Sequence, residues 1–213
     1  MRKSSQDING LPQPVAMYND VQNWPDEGLL LEIGTLHGKS AVSFAEAFEK
    51  YNKTWNIHTI DFYKGSKWTA NVGMTEEEYI SWRKENGIHT SGEEQRRIVL
   101  ENLEGWDNIK AENANFFPGY VINIQPTALF YDGNHDYEPC KWALDKFKDL
   151  DLLYVDDYCN RQFPGTVQAC HEHAEEQNKD MKVYLRGGDI VKDPNASETY
   201  LQGGVAVITT KEE

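Results

Sequence analysis

The sequence predicts an α/β protein built on a doubly wound, mostly parallel sheet of seven strands. Three observations carry this. Short apolar runs recur along the chain and several close on an acidic residue, as in LLLEI, TWNIHTID, TALFYD and LLYVDD. Stretches with helical spacing of apolar residues lie between them, and no internal repeat is visible, a pattern that argues for strands crossing over through helices. The first run enters a glycine-hinged turn that opens directly onto a helix, so its carboxyl end faces the side of the sheet where ligands bind.

The elements follow in order. Residues 1–28 are polar, contain Pro12, Pro14 and Pro25, and read as a leader that packs loosely or covers part of the site. Leu29, Leu30, Leu31 and Ile33 form a run suited to a strand buried on both faces. Gly34 and Gly38 let the backbone turn sharply and approach a ligand, and from Ser40 the residues Ala41, Phe44, Ala45 and Phe48 recur at helical spacing. Glu32 is placed to accept hydrogen bonds from a ligand or to brace the loop. A second strand spans 54–61 and ends on Asp61, where an acid can take both hydroxyls of a ribose.

Residues 62–92 change to aromatic and polar composition, with Trp68, Tyr79 and Trp82 among charges and a helix near 75–85. This insertion reads either as a substrate lid or as a surface hairpin. EEQRRIVLENLEGW is the next helix, with Ile98 and Leu103 facing inward, and NIKAENANFF the third strand and its exit. PTALFYDG at 126–133 is the fourth strand, YEPCKWALDKFKDL a helix, DLLYVDDY at 151–158 the fifth strand, and TVQACHEHAEEQ another helix. MKVYLR and GGVAVITT complete the sheet.

Composition narrows the function. The chain has 213 residues, room for one domain of 29–213 with the insertion inside it, and a formal net charge of −14 from 21 basic and 35 acidic residues. With no basic block, tight binding to nucleic acid or an anionic membrane is disfavoured, and a small-molecule partner fits better. Cys140, Cys159 and Cys170 show no CxxC spacing, no signal sequence opens the chain, and no apolar run approaches a membrane span, so a cytoplasmic protein is expected. The sequence leaves room for a homo-oligomer.

Spacing separates three readings of the turn. Only Thr35, Leu36 and His37 stand between Gly34 and Gly38, one too few for a phosphate loop, so HGKS is a chance echo of that motif. Leu36 occupies the place of the second glycine of a dinucleotide fingerprint, which disfavours NAD and FAD. The remaining pattern, E-x-G-x-x-x-G-x-S, resembles the first motif of class I S-adenosylmethionine-dependent methyltransferases.

With YDGNHDYE, LLYVDDY and HTID in the expected order over roughly residues 29–175, the chain resembles the macrocin-type O-methyltransferases, which share a metal arrangement with the catechol type. The resemblance implies a Rossmann-like methyltransferase fold. It also implies S-adenosyl-L-methionine bound at Glu32, Gly34, Gly38, Ser40, Asp61 and Asp132, with Asn113 and Ala114 on the adenine side. Mg²⁺ would sit on Asp132, Asp156 and Asp157; otherwise those acids serve as caps and loop supports. The implied reaction is methyl transfer to a hydroxyl of a sugar-like or catechol-like vicinal diol. A metal-independent methyltransferase and a non-catalytic cofactor-binding module are the alternatives.

Two departures qualify the match. Asn134 stands where macrocin-type enzymes commonly place an acidic base, which leaves His135, an imidazole with an ordinary pKa of about 6.5, as the expected catalytic base. KFKDLDLLYV also lacks a glycine pair common before the fifth strand. Elsewhere, His171 and His173 read as surface residues whose i,i+2 spacing makes a poor metal pair, Trp142 and Phe147 as core, and Arg161 and Gln162 as a solvated loop near the acid pair.

Overall fold

The computed structural model describes residues 2–10, 13–62, 75–85, 89–116, 123–158, 163–185, 190–191 and 204–211. Trp68, Arg161, Gln162 and Cys159 lie outside them, as does much of the 62–92 insertion. The strands are β1 (Glu27–Ile33), β2 (Thr54–Asp61), β3 (Ile109–Asn113), β4 (Ala128–Tyr131), β5 (Leu153–Tyr158), β6 (Lys179–Leu185), β7 (Ile190–Val191) and β8 (Gly204–Thr210). The helices are α1 (Val15–Asn19), α2 (Lys39–Lys50), α3 (Glu76–Glu85), α4 (Gly92–Leu103), α5 (Tyr137–Lys146) and α6 (Pro164–Glu176).

The sheet order is β3-β2-β1-β4-β5-β8-β6-β7. β1 to β5 pair in parallel, while β8 runs antiparallel between β5 and β6, and β7 adds an antiparallel edge. The seven expected strands are present, and the two-residue β7 is additional. Winding reverses between β1 and β4, and at such a reversal the loops leaving the two strands diverge and open a crevice.

Alternation along the strands divides the core. Leu30 and Phe130 join one apolar cluster with Phe44 and Phe48 of α2, while Leu31 and Leu129 join the other with Cys140 and Leu144 of α5 and Ala169 of α6. Helices therefore cover both faces of a sheet whose central strands are buried on both sides.

The N-terminal segment does not pack loosely. Ile8, Met17, Val21 and Trp24 are all buried in the first cluster, and the Trp24 ring lies 4.8 Å from that of Trp55. Its indole N–H donates to Tyr154 Oη at 3.1 Å. The polar and proline-rich composition hides four apolar anchors. His173 is also corrected: it is fully buried at the α5 side of α6, with Nδ1 3.5 Å from Asp145 Oδ1, while His171 is half-buried and pairs with Tyr158 Oη at 2.8 Å. Phe147 is core, and Trp142 is partly buried against it with its ring 4.8 Å from Phe116.

At the end of β1, Gly34 has φ +92° and a Cβ there would lie 1.9 Å from the carbonyl oxygen of Asp132. Gly34→Ala is therefore expected to cost ~3 kcal/mol or more of stability through combined backbone strain and collision. A urea denaturation curve shifted by less than half that amount would contradict the close approach.

Candidate functional site

The crevice is built from the loops leaving β1, β2, β4 and β5. Glu32, the penultimate residue of β1, is fully buried; Ser40 of α2 donates to its Oε1 at 2.5 Å and Thr59 of β2 to its Oε2. Burial pushes its carboxyl up to about 7, against the opposing effect of the two hydroxyl donors. Of the two roles open to Glu32, the structure shows the brace: the carboxylate ties β1, β2 and the first turn of α2 together from inside. Ser40 acts with it.

Both glycines answer to packing. Gly34 passes the Asp132 carbonyl, and a Cβ on Gly38, at φ +84°, would meet Leu103 Cδ2 of α4 at 3.0 Å. Between them, the backbone N–H groups of Thr35 and Leu36 each donate to Asp61 Oδ2 at 2.9 Å, and Gln95 Nε2 of α4 donates to the same oxygen at 3.0 Å. Burial raises the Asp61 pKa, and these donors oppose the rise. The acid ending β2 is thus locked onto the glycine turn. Ala114 N donates to the Asp61 carbonyl at 3.0 Å, and Asn113 pairs with Asp61 in the sheet register, so the two residues that the resemblance puts on the adenine side flank it.

HGKS acquires a structural meaning that the sequence reading dismissed. Lys39 Nζ donates to the Ile8 carbonyl at 3.0 Å, and the buried His37 ring hydrogen-bonds the Asn9 backbone and, through Nε2, His89 Nδ1 at 2.9 Å. Burial, then Arg83 and His37, push His89 down to about 3, which keeps that imidazole neutral. Asn102 Nδ2 donates to the His37 carbonyl at 2.9 Å. The N-terminal segment and α4 therefore hold the turn from two sides.

Across the crevice, Asp132 and Asp157 meet at one imidazole. His135 Nε2 lies 3.3 Å from Asp157 Oδ2 and 3.8 Å from Asp132 Oδ1, and its ring packs 4.5 Å from that of Phe163. Asp157 has φ +52°, where the β5–β8 register shifts between Val155 and Tyr158. A bulge of this kind re-aims side chains that a regular strand would point to opposite faces. Asp156 is buried and accepts from Gln13 Nε2 at 2.7 Å. Asn134 shapes the loop: its Oδ1 accepts from Asp136 N at 2.9 Å and its carbonyl from Tyr131 Oη at 2.6 Å.

Whether these acids fit a cation has a divided answer. Carboxylate oxygens are the donors a hard divalent ion takes. Among the described residues, however, no three His, Cys, Asp or Glu side chains are grouped to hold a metal, and the Asp156 carboxylate is engaged by Gln13. Gln13 and Gln95 carried no signal in the sequence, since their partners lie far along the chain. Two surface grooves of about 430 and 460 Å³, one between α4 and β3 and one at the opposite end of β1 and β2, lie away from these residues. Among the described residues no helix is long and apolar enough to cross a membrane.

Residues 31–151 match a family described as a methyltransferase domain. No curated protein matches the chain. Among solved structures, the O-methyltransferase NovP superposes with a TM-score of 0.54 at 17% identity, covering 91% of this chain and 76% of its own. A precorrin-6y C5,15-methyltransferase from Geobacter metallireducens gives 0.56 at 11% identity, covering 98% and 97%, and the tRNA (m1A58) methyltransferase TrmI from Aquifex aeolicus 0.52 at 15%, covering 100% and 72%. At these identities the likeness is one of fold.

The buried Glu32 gives a pH signature. Because its folded pKa of about 7 stands above the ordinary 4.5, the folded state holds the proton longer, and this contribution to stability is full below pH 4.5 and lost as pH rises through 7. Glu32→Gln is expected to flatten the stability profile in that window. Unfolding free energies measured from pH 4.5 to 8 that fall equally in both proteins would contradict the assignment.

Proposed function

The chain belongs to the methyltransferase domain family, with the class I S-adenosylmethionine-dependent fold, and from that premise we propose that it methylates a hydroxyl oxygen of a small vicinal diol, sugar-like or catechol-like. The observation that carries the reading is the meeting of Asp132, Asp157 and His135 at the carboxyl ends of β4 and β5, beside the turn that leaves β1. A net charge of −14 favours a small acceptor over nucleic acid.

In this reading the adenosyl group lies over the turn. Asp61 takes the ribose hydroxyls, Asn113 and Ala114 border the adenine, Glu32 and Ser40 keep the turn rigid from behind, and Gly34 brings it against Asp132. His135 Nε2 accepts the acceptor's hydroxyl proton, and the flanking Asp132 and Asp157 carboxylates stabilise the imidazolium. The oxygen then attacks the methyl carbon in line. The carbon–sulfur bond breaks, its electron pair returns to sulfur, and neutral S-adenosylhomocysteine leaves. Holding oxygen, carbon and sulfur collinear supplies much of the rate enhancement. Asp132, Asp156 and Asp157 would be the residues to hold Mg²⁺, which when bound would supply Lewis-acid chemistry that lowers the pKa of the acceptor hydroxyl.

The engagement of Asp156 by Gln13 favours a second reading, in which the acids serve the imidazole and the loops and transfer needs no metal. Product formation from catechol and sugar diols, assayed with Mg²⁺ and with EDTA, separates the two. The metal-assisted form predicts that EDTA abolishes turnover and that Asp157→Asn lowers it. His135→Ala is expected to reduce kcat by ~10²–10⁴ with S-adenosylhomocysteine affinity unchanged, the range typical of a lost general base. Failure of every diol to yield an O-methyl product, while S-adenosylmethionine still binds, would refute the proposed acceptor class.

A further inference from the structure

Helix α4 contributes more to the crevice than a face for the core. Gln95, only 4% exposed, sits one turn past the Ser91 N-cap, where the helix crosses the glycine turn. Its Nε2 has two hydrogens and two acceptors: Leu36 O at 3.1 Å and Asp61 Oδ2 at 3.0 Å. The same Asp61 oxygen takes the N–H groups of Thr35 and Leu36. Three donors inside the protein therefore converge on one carboxylate oxygen, and the Phe62 backbone N–H is a further donor to the carboxylate. We infer that Gln95 is a positioning residue for nucleoside recognition, fixing the rotamer of Asp61 so that its other oxygen is presented to a ribose.

The geometry gives Gln95 a link that the backbone amides of Thr35, Leu36 and Phe62 do not provide, since it ties Asp61 to a separate helix. Thr35 and Leu36 belong to the turn itself, so their bonds to Asp61 shift whenever the turn shifts. Gln95 comes from a separate element, anchored through Val99 and Leu103 in the core, and it grips both the acid and the turn. Its loss leaves the half-buried Asp61 carboxylate and the Leu36 carbonyl each with one donor fewer. An acid so released can rotate, and a hydrogen bond to a charged group contributes only when it is aligned.

This inference rests on Asp61 being the ribose acid, and the test separates the two. Binding of S-adenosylhomocysteine and of its 2′,3′-dideoxyribose counterpart, which offers Asp61 no hydroxyl, is measured by calorimetry on the full chain for wild type and Gln95→Met, a change that keeps length and removes the amide. Wild type is expected to bind the dideoxy ligand weaker by on the order of tenfold. Gln95→Met is expected to bind S-adenosylhomocysteine about fivefold weaker while leaving the dideoxy ligand unchanged, so the discrimination shrinks towards one. Equal weakening of both ligands would overturn the inference, because a residue that merely stiffens the turn affects them alike. A wild type that does not distinguish the ligands removes the ribose reading and this inference with it. Should Gln95→Met not fold, Gln95→Asn, which keeps an amide but cannot span both acceptors, must show the same pattern.

Discussion

Where β1 ends, the backbone of Gly34 runs against the carbonyl of Asp132 more closely than any side chain allows, and Asp132 N donates to the Ile33 carbonyl at 2.7 Å beside it. This contact sets the distance between the two halves of the crevice. On one side stands the turn braced by Glu32 and locked to Asp61; on the other stand Asp132, Asp157 and His135. Methyl transfer tolerates little error in donor-to-acceptor distance, so a rigid backbone join at this point suits the chemistry better than a side-chain contact could. The sheet topology places the join at its winding reversal.

Charge follows the same logic. Glu32, fully buried, and Asp61, half-buried, are acids whose hydrogen bonds come from hydroxyls and amides: Ser40 and Thr59 for the first, Thr35, Leu36 and Gln95 for the second. Neutral donors stabilise an ionised carboxylate without cancelling its charge. In the proposed reading, that residual negative potential favours the cationic sulfonium over the neutral thioether it becomes. Burial pushes the Glu32 carboxyl up to about 7 and raises that of Asp61 as well.

Much of this architecture was legible in the sequence. β2 spans the residues expected of it, because TWNIHTID carries both its alternation and its terminal acid. β1 begins two residues before the apolar run, at Glu27, and includes Gly28, where a Cβ would lie 2.6 Å from the Trp55 ring. The N-terminal anchors Ile8, Met17, Val21 and Trp24 follow no period, so composition concealed their burial. His173 looked exposed beside His171 because charged neighbours surround it; packing of α5 on α6 decided otherwise. The sequence placed the acid pair at the end of β5, but the bulge and the positive φ of Asp157 have no sequence signature. Gln13 and Gln95 act on partners 143 and 34 positions away, contacts that only the fold creates.

A crystal structure of the chain with S-adenosylhomocysteine tests the central claim most directly. The account predicts the nucleoside over the turn from Gly34 to Gly38, both ribose hydroxyls on Asp61, and the sulfur directed towards His135. Density for the nucleoside at another end of the sheet, or a ribose out of reach of Asp61, would contradict it.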